Sequence, residues 1–164
     1  MTESSSHVAA PEDALEFLSD DQDAILELLT RYDSLVSDSG APNERRERAE
    51  EVCTLVTVHA QIKREILYPA ASNALNDAAL VDEVMEAQDA LEATIADIQA
   101  GDATEPQYDA GVRVLQELFV ECVETERDTL FPALRDSTLD LTELGGELSA
   151  RAEILLGGYD ETGD

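Results

Sequence analysis

Two pairs of residues in this sequence have the types and spacing for chemistry. His59 stands four residues before Lys63, and Cys122 stands four before Glu126. Residues four apart share one face of a helix. Imidazole, thiol and carboxylate are the donors that hold zinc or iron, and an ammonium beside a carboxylate makes an ion pair. Lys63 is the sole lysine of the chain, and His59 the sole histidine beyond His7 in the N-terminal tail. Lys63 falls among Val56, Ile62 and Ile66, on an apolar stripe where a surface residue is not expected. A charge on such a stripe needs a partner if it is buried.

The two pairs belong to a repeat. "HAQIKREILYPA" from His59 aligns without gaps with "CVETERDTLFPA" from Cys122. Arg64, Leu67, Pro69 and Ala70 match Arg127, Leu130, Pro132 and Ala133, and Tyr68 matches Phe131 in kind. Under this alignment His59 faces Cys122, and Lys63 faces Glu126. Each half therefore offers two inward residues one turn apart, followed by an aromatic-proline pair that is expected to stop the helix.

The elements that must position these residues are all helical. A first helix opens at Pro11, with Glu12 and Asp13 in its first turn, and carries Leu15, Leu18, Gln22, Ile25, Leu29, Tyr32 and Val36 at spacings of three and four. "SDSGAPN" breaks the chain. A second helix is expected over 43–68, a third over 76–100 and a fourth over 106–135, with a short fifth over 141–156. No segment alternates with period two. Four long amphipathic helices with short connections predict an all-α, antiparallel up-down-up-down four-helix bundle with a short C-terminal helix. Every main helix has a polar residue in its apolar stripe: Gln22, His59 with Lys63, Gln88, and Cys122 with Glu126. In a bundle these six side chains converge in one region of the core. Gln22 has a competing reading, because "SDDQ" from Ser19 fits a capping box that restarts the helix there.

Length and composition set the bounds. A chain of 164 residues makes one domain, expected over 11–157, with tails at 1–10 and 158–164 expected to be disordered. His7 falls in the first tail and is set aside as a ligand. No apolar run approaches the ~18 to 20 residues of a membrane span, and "MTESSSHVAAPED" lacks the pattern of a signal peptide. Cys53 and Cys122 form neither a disulfide framework nor a CxxC pair, which fits a reducing, cytoplasmic compartment. The net charge of −28 argues against nucleic acid and anionic membranes as partners. A protein partner and the oligomeric state are left open. Haloadaptation and plain acidic solubility explain the charge equally well. A halophilic protein is expected to melt at higher temperature in molar KCl than in dilute buffer, and the absence of that rise removes the first explanation.

The chain also resembles the haemerythrin-like (HHE cation-binding) family, from about Asp13 to Ser137. The family pattern is a histidine in the first helix, H-x-x-x-E in the second, a histidine in the third and H-x-x-x-E in the fourth. "DALEFLSDDQDAILELL" resembles the first helix with Gln22 at the histidine position. "VHAQIKREILYPA" resembles the second, with His59 in place and Lys63 where the glutamate stands. "VMEAQDALEATI" resembles the third with Gln88 at the histidine position. "FVECVETERDTLFPALR" resembles the fourth, with Cys122 for the histidine and Glu126 in place. The resemblance implies the four-helix bundle and, in an intact member, a di-iron centre that binds O2 or a related small ligand.

The departures change that expectation. Only His59 and Glu126 keep their ligand type. Amides at Gln22 and Gln88 are weak neutral donors, and an ammonium at Lys63 repels a dication. We therefore expect no cofactor, and a core filled by a metal-free polar network in which Lys63 pairs with Glu126 while Gln22, Gln88 and His59 supply hydrogen bonds. Lys63 could instead snorkel to the bundle surface. His59 could be an ordinary hydrogen-bonded core histidine, and Cys122 a small buried hydrophobe. The alternative metal reading is a mononuclear iron or zinc site of His59, Cys122 and Glu126. The function expected first is a structural, interaction or regulatory module. The second is a metal-binding or O2- or small-ligand-sensing protein with a reduced site. An enzyme comes third, since the sequence holds no nucleophile-base pair, phosphate loop or further acid-base pair.

Overall fold

The computed structural model describes residues 13–162. The expected N-terminal tail, His7, and the helix start at Pro11 and Glu12 lie outside the described residues, as do residues 163–164. The first described helix, α1 (Ala14–Ser37), begins where Asp13 caps it. The Asp13 carboxylate accepts from the Glu16 amide at 2.9 Å, and Glu16 accepts in return from the Asp13 amide at 3.2 Å. Asp13 is thus the cap rather than a first-turn residue. The helix runs unbroken through Ser19, so the restart at "SDDQ" is not made, and Gln22 lies mid-helix with no exposed surface. The reason is the stripe of Leu15, Leu18, Ile25 and Leu29, whose burial rewards one continuous helix. The helix closes where Ser39 turns left-handed (φ 57°) and the Gly40 amide returns to the Leu35 carbonyl at 2.7 Å.

The second arm consists of α2 (Pro42–Ile62), a π-helical turn at Lys63–Leu67, and α3 (Tyr68–Ala74). The helix expected to stop at Pro69 therefore continues to Ala74. Proline normally breaks a helix because it lacks an N–H and its ring strikes the carbonyl four residues back. Here the amide of Tyr68 bonds to the Lys63 carbonyl, five residues back. The wide turn inserts an extra residue and moves that carbonyl aside. After α4 (Ala78–Ala100), capped by Asp77, the fourth arm repeats the device. Its parts are α5 (Pro106–Thr125), a π turn at Glu126–Leu130, and α6 (Phe131–Arg135). The Phe131 amide bonds to the Glu126 carbonyl, and the helix again passes its proline. The sequence repeat thus encodes two π turns, one opening at Lys63 and the other at Glu126.

The arms form the expected all-α, antiparallel four-helix bundle, and no strand occurs among the described residues. The C-terminal helix α7 (Leu141–Thr162) differs from expectation. It starts at Leu141 as expected but runs for 22 residues and covers 158–162, which were expected to be tail. Gly157 and Gly158 lower helix propensity by ~1 kcal/mol each, but unlike proline a glycine keeps its backbone donor, so the helix continues. Leu144 and Leu148 of α7 are buried in one core cluster with Leu15, Leu18, Ile62 and Leu67. A second cluster, at the other end of the bundle, includes Ile25, Leu29, Val56, Leu91, Leu115 and Phe119. The polar residues of the stripes separate these two apolar clusters. No helix among the described residues is long and apolar enough to cross a membrane.

Candidate functional site

Gln22, His59, Lys63, Gln88 and Glu126 are the buried polar residues of the core, each at most 2 % exposed. α1 supplies Gln22, α2 supplies His59, α4 supplies Gln88, and the two π turns supply Lys63 and Glu126. Lys63 does not snorkel. Its ammonium donates to both oxygens of Glu126, at 2.8 and 3.1 Å. Gln22 Nε2 donates to Glu126 Oε1 at 2.7 Å, and the Tyr68 hydroxyl to Oε2 at 2.8 Å. Gln88 Nε2 donates to the Tyr68 hydroxyl at 3.1 Å and to the Ala60 carbonyl at 3.4 Å. Glu126 is the hub, and its carboxylate lone pairs are all engaged.

The electrostatics follow from this geometry. Burial is the largest influence on the Glu126 carboxyl and would raise it, but the Lys63 charge together with the hydrogen bonds from Lys63 and Tyr68 outweighs burial and holds the pKa below its ordinary value. Burial, then the Glu126 charge, push the Tyr68 phenol well above 10.0, so Tyr68 stays protonated as a donor. His59 is pulled down by burial first and by Lys63 second, against the opposing pull of Asp21 and Glu126. Its contact with Asp21 has the geometry of an ion pair at 2.6 Å, yet the desolvation and the neighbouring ammonium favour a neutral imidazole. Nδ1–H donates to Asp21, which leaves Nε2 as a bare acceptor, buried and without a partner among the described residues. Gln88 Oε1 is likewise without a partner among them. The His59 ring packs edge-on against Phe119 with centroids 5.9 Å apart.

Cys122 is less involved than its place in the repeat implies. It makes no hydrogen bond among the described residues, and burial pushes its thiol up to about 11. It lines a cleft of about 330 Å³ between α4 and α5, together with Val84, Ala87, Leu118 and Glu126. Among the described residues, no three or more His, Cys, Asp or Glu side chains are grouped to hold a metal ion.

Three participants were not singled out from sequence. Tyr68 was read as part of a helix stop. Residues five apart point away from each other on an α-helix, but the π turn rotates Tyr68 back toward Lys63 and Glu126. The signal available was the hydroxyl that distinguishes Tyr68 from Phe131 in the repeat. Asp21, one-third exposed, holds His59 from the rim of the bundle. Arg127 braces Gln22, donating to its Oε1 at 3.0 Å and to the Ser19 carbonyl at 2.9 Å. Nothing in the sequence distinguishes Asp21 from its many charged neighbours, and Arg127 stands out only as the match of Arg64 in the repeat.

Residues 13–134 match the family described as the Hemerythrin HHE cation binding domain. The chain belongs to the haemerythrin HHE family. Its fold also matches the crystal structure of a Hemerythrin HHE cation binding domain-containing protein from Mycobacterium kansasii, with a TM-score of 0.73. The two are 19% identical, and the match covers 90% of each chain. No curated protein matches the sequence. For a haemerythrin HHE domain the donor set is unusual. Two irons need several anionic and imidazole donors pointing inward. Here an ammonium lies on the central carboxylate, two positions are amides, and the thiol is held protonated. These residues do not fit a di-iron centre.

Proposed function

We propose that this haemerythrin HHE domain lacks the family's di-iron, O2-binding centre and acts as a structural, interaction or regulatory module with a metal-free polar core. One observation carries the reading: Lys63 Nζ lies 2.8 Å from Glu126 Oε2, with both side chains buried. The tethered cation neutralises the carboxylate that a metal would otherwise bind. The tyrosine and glutamine donors complete its hydrogen bonds. The charge of −28 favours a protein partner over nucleic acid or an anionic membrane, and the two free cysteines suit the cytoplasm.

Metal analysis tests this. Protein prepared without chelator is expected to be colourless and to hold well under one iron or zinc per chain. Stoichiometric metal that disappears in Glu126→Ala would overturn the reading. That result would favour the second one, a metal-binding or small-ligand-sensing protein that uses iron or zinc at His59, Cys122 and Glu126. The bare Nε2 of His59 is the observation on its side. The protonated thiol and the Lys63 ammonium weigh against it.

A further inference from the structure

We propose that Lys63 is the specificity-determining residue that keeps divalent cations out of this core, and that His59 and Glu126 behind it stand ready as two donors of a cation site. The inference rests on the metal-free reading above and extends it from an absence to a cause. It predicts which single side chain sets the preference.

His59 carries the first observation. An imidazole with one nitrogen bonded to a carboxylate and the other bare has the arrangement that orients a metal-binding histidine. A histidine that merely fills a core normally has both nitrogens satisfied or one exposed. Here Nδ1 is 2.6 Å from Asp21 Oδ2, while Nε2 is buried without a partner among the described residues. The residue is 1% exposed, so bulk solvent does not satisfy that lone pair.

Glu126 carries the second. Four hydrogen bonds converge on its carboxylate, and two of them come from Lys63. Removing the ammonium frees one position on each oxygen and leaves a buried negative charge without a counterion. His59 lies one turn before residue 63 and feels the charges of both Lys63 and Glu126, and the Lys63 ammonium reaches Glu126. A carboxylate placed at residue 63 therefore brings the donors to three, the number that the described residues now lack. The cleft between α4 and α5 is lined by Glu126 itself and by Glu83, Glu86 and Glu121. The net charge of −28 further concentrates cations at the surface.

The experiment compares wild type, Lys63→Glu, Lys63→Glu with His59→Ala, and Lys63→Glu with Asp21→Asn. Each is titrated with zinc chloride by calorimetry and melted with zinc or with EDTA. Lys63→Glu is expected to take up one zinc per chain and to melt higher with zinc than with EDTA. His59→Ala abolishes both effects. Asp21→Asn, which acts only by positioning the imidazole, weakens zinc affinity ~10 to 100-fold. Uptake by Lys63→Glu no greater than by wild type, or uptake indifferent to His59, overturns the proposal while the metal-free reading stands. Stoichiometric zinc in wild type that requires His59 and Glu126 overturns both. Should Lys63→Glu not fold without metal, recovery of its helical circular dichroism on adding zinc supports the proposal. Lys63→Gln, which retains a donor for Glu126, provides a second variant. Failure of both variants to fold with zinc counts against it.

Discussion

Lys63→Ala is expected to lose ~3 to 5 kcal/mol of stability, measured as a drop in the urea midpoint at unchanged slope. The loss arises less from the missing contact than from the charge left behind. Glu126 is 1% exposed, and without Lys63 its carboxylate keeps only Gln22 and Tyr68 as donors. A domain of this kind has ~5 to 15 kcal/mol in total, so the variant stands near the edge of folding. Arg151→Ala is the control. Its ion pair with Glu65 has a similar length, 2.8 Å, but both side chains are about one-third exposed, and such pairs contribute ~0 to 1 kcal/mol. The double variant Lys63→Met with Glu126→Leu removes both charges together. Apolar replacements of buried ion pairs are often neutral or better, but here Gln22 and Tyr68 lose their acceptor, so we expect it near wild type and well above Lys63→Ala. Equal, small losses for Lys63→Ala and Arg151→Ala would remove the buried pair from the account of this core.

Acidification is expected to lower the stability of the domain in two steps, and the sign follows from two buried groups. His59 has a folded pKa below its ordinary 6.5. Below pH 6.5 the unfolded chain therefore binds a proton that the folded one refuses, so stability is full above 6.5 and declines as pH falls below it. Glu126 has a folded pKa below its ordinary 4.5. Its contribution is present above 4.5 and is lost as pH falls further toward the folded value. Surface carboxylates work the other way, because protonating them relieves the repulsion of a −28 chain. Molar KCl screens that term and leaves the buried groups visible. Urea midpoints at pH 7.5, 5.5 and 4 in molar KCl should fall in both steps. His59→Gln should flatten the first step alone. A flat wild-type profile between 7.5 and 5.5 would mean that His59 does not enter the core as a neutral group.

Much of this was legible in advance because it depends on period and pattern. The apolar stripes specify four helices, and the polar residues inside those stripes specify a buried layer, since burial applies to every residue on an inward face. Charge made the pairing of Lys63 with Glu126 one of two outcomes, the other being an ammonium that snorkels to solvent. Pro69 and Pro132 misled, because the rule that proline ends a helix assumes an α-turn before it. The C-terminal helix was underestimated for a related reason. Its glycines weaken local propensity, while the burial of Leu144 and Leu148 against other arms is a nonlocal gain.

The sequence by itself determined the fold and the identity of the buried polar residues, because side-chain chemistry and helical period are local properties. Only the tertiary structure decided that Lys63 ends on Glu126 rather than in solvent. Only it brought Tyr68 round through the π turn, tied His59 to Asp21 and left Nε2 bare. Each of these depends on where one arm of the bundle stands against another, and that distance is set by the packing of all the helices together.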